Sequence, residues 1–178
     1  MDMKEYFNYD NPKFLPLRQP ARDVVDAYQR ANRFLDTVKE SLYIEHGLIH
    51  TSDMVHKLAH EMPKQFDVFG DMLHERHLMV EYPATPELTE RIESVDKGFE
   101  IVITVLDDVQ EALEKFHAVT DTADFRPMAL KTEELMLQNS QDYTRFLEAW
   151  MMYGKRSSDT SFDNWVLHLL EEEGEADE

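Results

Sequence analysis

The sequence predicts an all-α protein: a bundle of four long amphipathic helices with one long crossover between the second and the third. Three observations lead there. Apolar residues recur at three- and four-residue spacing along most of the chain, which is the period of a half-buried helix. Five glycines and seven prolines are few for 178 residues, so the helical patterns run long. Two of those prolines and one glycine fall together in EYPATPELTERIESVDKG, a link of about eighteen residues between two such patterns.

Residues 1–20 hold Pro12, Pro16 and Pro20 and read as an irregular arm. From Ala21, the residues Val24, Val25, Tyr28, Ala31, Leu35, Val38 and Leu42 form one helical face, with Pro20 where a first turn tolerates it. This helix is expected to end near residues 46–49, where Gly47 and a polar stretch weaken it. Thr51, Ser52 or Asp53 is the expected cap of a second helix carrying Val55, Leu58, Phe66, Phe69, Leu73 and Met79. Pro63 lies inside that pattern and predicts a kink or an early break. The long link has room for a short helix over PELTERIES, with Pro86 near its start.

The third helix is expected over about Lys97 to Val119. Its IVITVL core resembles a strand, but the helical spacing continues through Val109, Leu113 and Phe116. A fourth, from about Phe125 to Tyr153, presents Met128, Leu135, Tyr143, Phe146 and Trp150. The division is therefore an arm (1–20), a bundle (21–156), and a short amphipathic segment with an acidic tail (157–178). Short links make neighbouring helices antiparallel. A link of eighteen residues can travel the length of the bundle and leave helices two and three parallel, which is the ferritin-like arrangement. A generic up-and-down bundle is the alternative that periodicity leaves open.

Composition narrows the function. With 37 acidic against 18 basic side chains the formal charge is −19, which opposes binding to nucleic acid or anionic lipid. An apolar share of 42% is too rich for a disordered acidic chain. The absence of cysteine excludes disulfides, thiolate metal sites and a cysteine nucleophile. The longest apolar run, Ile101 to Leu106, is far short of a membrane span. The polar opening MDMKEYFNYD does not read as a signal peptide, so a soluble cytoplasmic protein is expected.

Six of the eight histidines, namely His46, His50, His56, His60, His74 and His77, lie within residues 46–77. His56 and His60 are four apart on the second helix and share a face; so do Asp71 and Glu75. Fifteen residues separate His56 from Asp71, which is four turns plus about 60°, so the two pairs point to roughly the same side. At about 1.5 Å per residue they stand about 22 Å apart and cannot meet within one chain. Two copies of the helix, packed antiparallel across a two-fold axis, would bring each histidine pair to the other chain's carboxylates. Imidazole and carboxylate together suit iron, zinc or manganese. A solvated polar face with i,i+4 charge spacing accounts for the same residues.

At these positions the chain resembles the Dps family, the mini-ferritins named for DNA-binding proteins from starved cells. The motif reads His46, His56 and then DMLHER from Asp71 to Arg76, with the family's fifteen-residue step from the second histidine to the aspartate. EELMLQNSQDYTRFLEAWMMY resembles that family's last helix, and the likeness spans about residues 20–156. It departs in three ways. The stretch between the first two histidines is about two residues short, with Gly47 where a tryptophan is common. His60 replaces an acidic ligand. Pro63 falls within the second helix.

The resemblance implies a ferroxidase centre of His46, His56, His60, Asp71 and Glu75. It further implies a hollow dodecamer built from two-fold dimers, in which iron is oxidised by hydrogen peroxide or oxygen and stored as ferric mineral, protecting against peroxide and iron stress. Three imidazoles facing two carboxylates shift preference toward zinc, as a competing or resting metal. Asp107, Asp108, Glu111, Glu114, Asp121 and Asp124 are candidates for cavity or pore. DNA binding is not expected, because the arm offers Lys4, Lys13 and Arg18 against Asp2, Glu5 and Asp10, and six acids follow Leu170. Two other functions compete: a diiron protein with its site inside one bundle, for which Glu114–His117 supplies one Glu-x-x-His, and a non-catalytic zinc-binding or scaffold protein.

Overall fold

The computed structural model describes residues 11–89 and 91–176, with side chains through residue 171. Residues 1–10, half of the expected arm, and the last two acids of the tail lie outside the described residues. Within them the chain is all-helical and contains no strand: α1 (Leu15–Ile44), α2 (Ile49–His74), α3 (Val95–Thr120), α4 (Arg126–Tyr153) and α5 (Asp159–Ala176). No helix among the described residues is long and apolar enough to cross a membrane.

Helix α1 begins at Leu15, six residues before the point expected from the sequence. Leu17 is fully buried, and that burial draws the segment into the helix. Pro20 withholds an N–H only from Pro16, in the first turn, where the loss is small. The chain reverses at Gly47, whose φ of 67° is the left-handed region that favours glycine, and the Leu48 N–H returns to the Leu42 carbonyl at 2.9 Å. No atom lies within 4 Å of a Cβ built there, so a side chain at 47 costs backbone strain rather than space.

Helix α2 starts at Ile49, and Leu48 at its N-cap has no side-chain cap. The expectation that Thr51, Ser52 or Asp53 caps it is therefore corrected. The cap comes from α5, where buried Asp163 accepts from His50 N (3.1 Å), Thr51 N (2.8 Å) and Thr51 Oγ1 (2.7 Å). A carboxylate serving two bare backbone donors does the work of a local N-cap, from 112 residues away.

Pro63 does not break α2, which runs unbroken through it. The ring deprives the Ala59 carbonyl, four residues earlier, of its helical donor. Asn32 on α1 replaces it, donating Nδ2–H to Ala59 O at 2.8 Å. Asn32→Ala is expected to cost about 1–3 kcal/mol, because it leaves that carbonyl without a donor. In a Pro63→Ala background residue 63 regains its N–H, and the cost of Asn32→Ala should fall by about 1 kcal/mol in urea unfolding. An equal cost in both backgrounds would show that Asn32 does not compensate for the proline.

The helix closes with two return bonds, His77 N to His74 O (2.9 Å) and Leu78 N to Leu73 O (3.0 Å), around His77 at φ 56°. Beyond it, no helix forms over residues 78–89 or 91–93, contrary to the short helix expected in PELTERIES. Distance explains this. Glu81 pairs with Arg18 at 2.7 Å, Thr85 O accepts from Arg33 at 3.0 Å, and Ile92 O lies 3.3 Å from His46 Nε2. Arg18 to His46 covers about 40 Å along α1. The eleven steps from Glu81 to Ile92 reach about 36–40 Å extended, but only about 16 Å as helix. Pro83 and Pro86 favour the extended state in the residues before them.

The link thus runs alongside α1 from one end to the other. Ser94 opens α3 by accepting from Lys97 N at 3.1 Å. Gly98 sits against Val38 and Leu42, where an added Cβ would lie 3.4–3.5 Å from their side chains. Farther along, Asp108 pairs with Arg30 (3.3 Å) and Asp124 with Lys13 (3.0 Å), so α3 is antiparallel to α1. Helix α4 returns along α3, with Asn139 Nδ2 donating to Leu106 O at 3.0 Å. The expected short C-terminal segment is an eighteen-residue helix whose buried Phe162 meets Tyr153 (5.1 Å) and Phe99 (5.9 Å) edge-on.

One polar layer crosses the apolar interior. Tyr28 OH donates to Gln65 Oε1 (3.3 Å), and Gln65 Nε2 donates to Asp142 Oδ2 (3.4 Å). Burial pushes the Asp142 carboxyl up to about 6, against the opposing pull of Gln65 and Arg145, and Glu61 adds to the rise. The folded state therefore holds this proton more tightly than the unfolded chain. Its contribution to stability is full below the ordinary value of 3.8 and is lost as pH rises through about 6. Asp142→Asn should remove that loss, raising stability relative to the parent by about 1–2 kcal/mol from acid to neutral pH, solvent screening included. Urea unfolding across that range checks it; a parallel pair of curves would exclude the effect.

Candidate metal centre

The side chains singled out from the sequence fall on one outward stretch of α2. Its core face carries Met54, Val55, Leu58, Met62, Phe69 and Leu73. His60, Asp71 and Glu75 are exposed and His56 is half-buried at the border between the two faces. The helical spacing that separates these residues from the core stripe is the reason they share a side.

The two imidazoles of the pair converge. His56 Nε2 and His60 Nε2 are 3.1 Å apart, with ring centroids at 4.3 Å and planes inclined by 76°. His56 Nδ1 is buried and has no hydrogen-bond partner. Nitrogen ligands sit about 2.0–2.1 Å from a first-row divalent ion, so two of them on one ion are about 2.9–3.4 Å apart. The pair already has that separation.

Asp71 and Glu75 stand in the last turn of α2, linked by the Glu75 N to Asp71 O bond at 2.9 Å. Both carboxylates are open to solvent, and the closure of the helix around His77 fixes the backbone that carries them. His46 is placed elsewhere, at the α1–α2 turn, with its Nε2 on Ile92 O. His50 contributes its backbone N–H to the Asp163 cap, and His74 and His77 are exposed near the far end of α2. Among the described residues no three His, Asp or Glu side chains gather as a metal site within one chain. A centre using both halves of α2 has to be completed by a second copy.

The acidic residues considered for a cavity or pore are largely engaged within the chain. Asp108 pairs with Arg30, Glu111 with Lys115 (2.7 Å), Asp121 with Arg126 (2.7 Å) and Asp124 with Lys13. Glu114 accepts from Gln110 at 3.0 Å. Asp107 is exposed, and partial burial together with the neighbouring Asp108 raises its carboxyl above the ordinary range.

The bundle interior offers little to a metal. Its buried polar side chains include Thr51, Gln65, Thr132 and Asn139, which are neutral, and Asp163, which is committed to the α2 cap. His117 turns to Glu133 at 2.9 Å, while Glu114 turns to Gln110. The Glu-x-x-His read from the sequence is thus spent on surface contacts. Two features had no sequence signal: the Asp163 cap, whose partner lies far along the chain, and the Gln65–Asp142 contact, which depends on how α2 and α4 pack. Among known protein families and curated proteins, the chain finds no match.

Proposed function

We propose that this protein is a mini-ferritin of the Dps type. Ferrous iron is its substrate, oxidised at centres shared between two-fold-related copies and stored as ferric mineral in a hollow dodecamer, which protects a cytoplasm from iron and peroxide. Each ferrous ion gives up one electron, and the O–O bond of a peroxide accepts two. His56 and His60 of one copy hold the incoming ion, with His46 in support by analogy with the family. Asp71 and Glu75 of the other copy stabilise the ferric state, since hard carboxylate oxygens favour the higher charge.

The observation that carries this reading is the convergence of the two imidazoles at ligand spacing, on the same outward side of α2 as an i,i+4 carboxylate pair. The link that runs the length of α1, leaving α3 antiparallel to α1 and α2, supports the ferritin-like arrangement with α2 and α3 parallel. The lack of free carboxylates in the interior weighs against a diiron site within one bundle. The charge of −19 favours a cation cargo and opposes DNA.

Native mass spectrometry before and after ferrous iron and peroxide are added tests the proposal. The expected result is a twelve-subunit particle that gains many iron atoms per chain. A small oligomer that takes up none would overturn it.

A further inference from the structure

We infer that His56 and His60 form, within a single chain, a two-nitrogen site for a borderline divalent ion of the zinc class, so that this half of the centre selects zinc over ferrous iron. The inference deepens the proposed function and rests on its reading of this face of α2 as metal-binding.

The geometry supplies the first argument. An ion about 2.05 Å from both Nε2 atoms would subtend an angle near 100° across their 3.1 Å separation, between the octahedral and tetrahedral values. The pair needs no backbone movement to accept it. Both residues lie inside a continuous helix, so their spacing is set before any ion arrives.

The protonation pattern supplies the second. One hydrogen lies between the two Nε2 atoms, and His56 donates it. Were His56 the acceptor, its hydrogen would sit on Nδ1, which is buried with no acceptor. His60 is exposed and can turn its own Nδ1–H to water. When an ion takes both Nε2 atoms, the hydrogen of His56 moves to Nδ1 and none is released. That orphaned donor makes single-chain binding moderate in strength, and an acceptor from a second copy would tighten it.

Donor chemistry supplies the third. Two neutral imidazoles with no carboxylate between them favour zinc over ferrous iron, in line with the ordering of first-row divalent ions. An acidic residue at position 60 would supply a hard oxygen in place of one nitrogen, and the preference for zinc would narrow.

The test uses the full chain carrying Asp71→Ala and Glu75→Ala, which removes the carboxylates, and reads binding by calorimetry under anaerobic conditions. Zinc(II) should bind at one equivalent per chain, and adding His60→Ala should weaken it at least tenfold. Substituting His60→Asp in the same background should lower the zinc-to-ferrous affinity ratio at least tenfold. Zinc binding untouched by His60→Ala, or a ratio that does not move with His60→Asp, overturns the inference. Because zinc is not oxidised and the background lacks the carboxylates, failure of iron oxidation in the unsubstituted protein would sink the proposed function and leave this result standing.

Discussion

Replacing both Asp71 and Glu75 with alanine is expected to slow ferrous oxidation by at least about a hundredfold, the scale of losing two metal ligands at about 1.4 kcal/mol per factor of ten. Both side chains are exposed and unpaired with any cation among the described residues, so the fold should be unaffected. The informative step is to mix this variant with a chain carrying His56→Ala and His60→Ala. In a two-fold pair of one copy of each, one centre keeps the histidines of the first chain and the carboxylates of the second, while the other centre loses everything. Mixed assemblies should regain part of the rate although neither parent is active. Stopped-flow absorbance of the ferric product reads this directly. Failure to complement would place the two halves in the same chain, which the length of α2 forbids, and the shared centre would have to be abandoned.

The second large effect concerns stability. Asp163→Ala should cost about 2–4 kcal/mol in urea unfolding, because it strips the acceptor from the backbone N–H groups of His50 and Thr51 and from the Thr51 hydroxyl. Asp163→Asn keeps one oxygen and should fall in between. An ordinary surface aspartate would cost under about 0.5 kcal/mol, and a value that small would show that α2 does not depend on the cap.

The helices were legible because their periodicity is strong. Val95–Thr120 and Arg126–Tyr153 fall within about two residues of the expected bounds, and the β-branched IVITVL is helical as its longer spacing requires. The errors arose where a remote partner overrides local signals. Pro63 reads as a breaker until Asn32 is brought across from α1. Thr51, Ser52 and Asp53 read as caps until Asp163 arrives from α5. PELTERIES reads as helix until the span along α1 is measured. The pairing of His56 with His60 was legible because an i,i+4 step fixes it; the side chain of His46, on a turn, follows the crossover instead.

The Asp163 cap also has a temporal meaning. During synthesis the helix that carries the histidine and carboxylate pairs emerges more than a hundred residues before the residue that seals its start. Until the ribosome has made the last helix, the first turn of α2 is open, and a chain stopped after Ser158 never closes it. Completion of the polypeptide and consolidation of its metal-bearing helix are therefore a single event, which ties the appearance of a finished site to that of a finished chain.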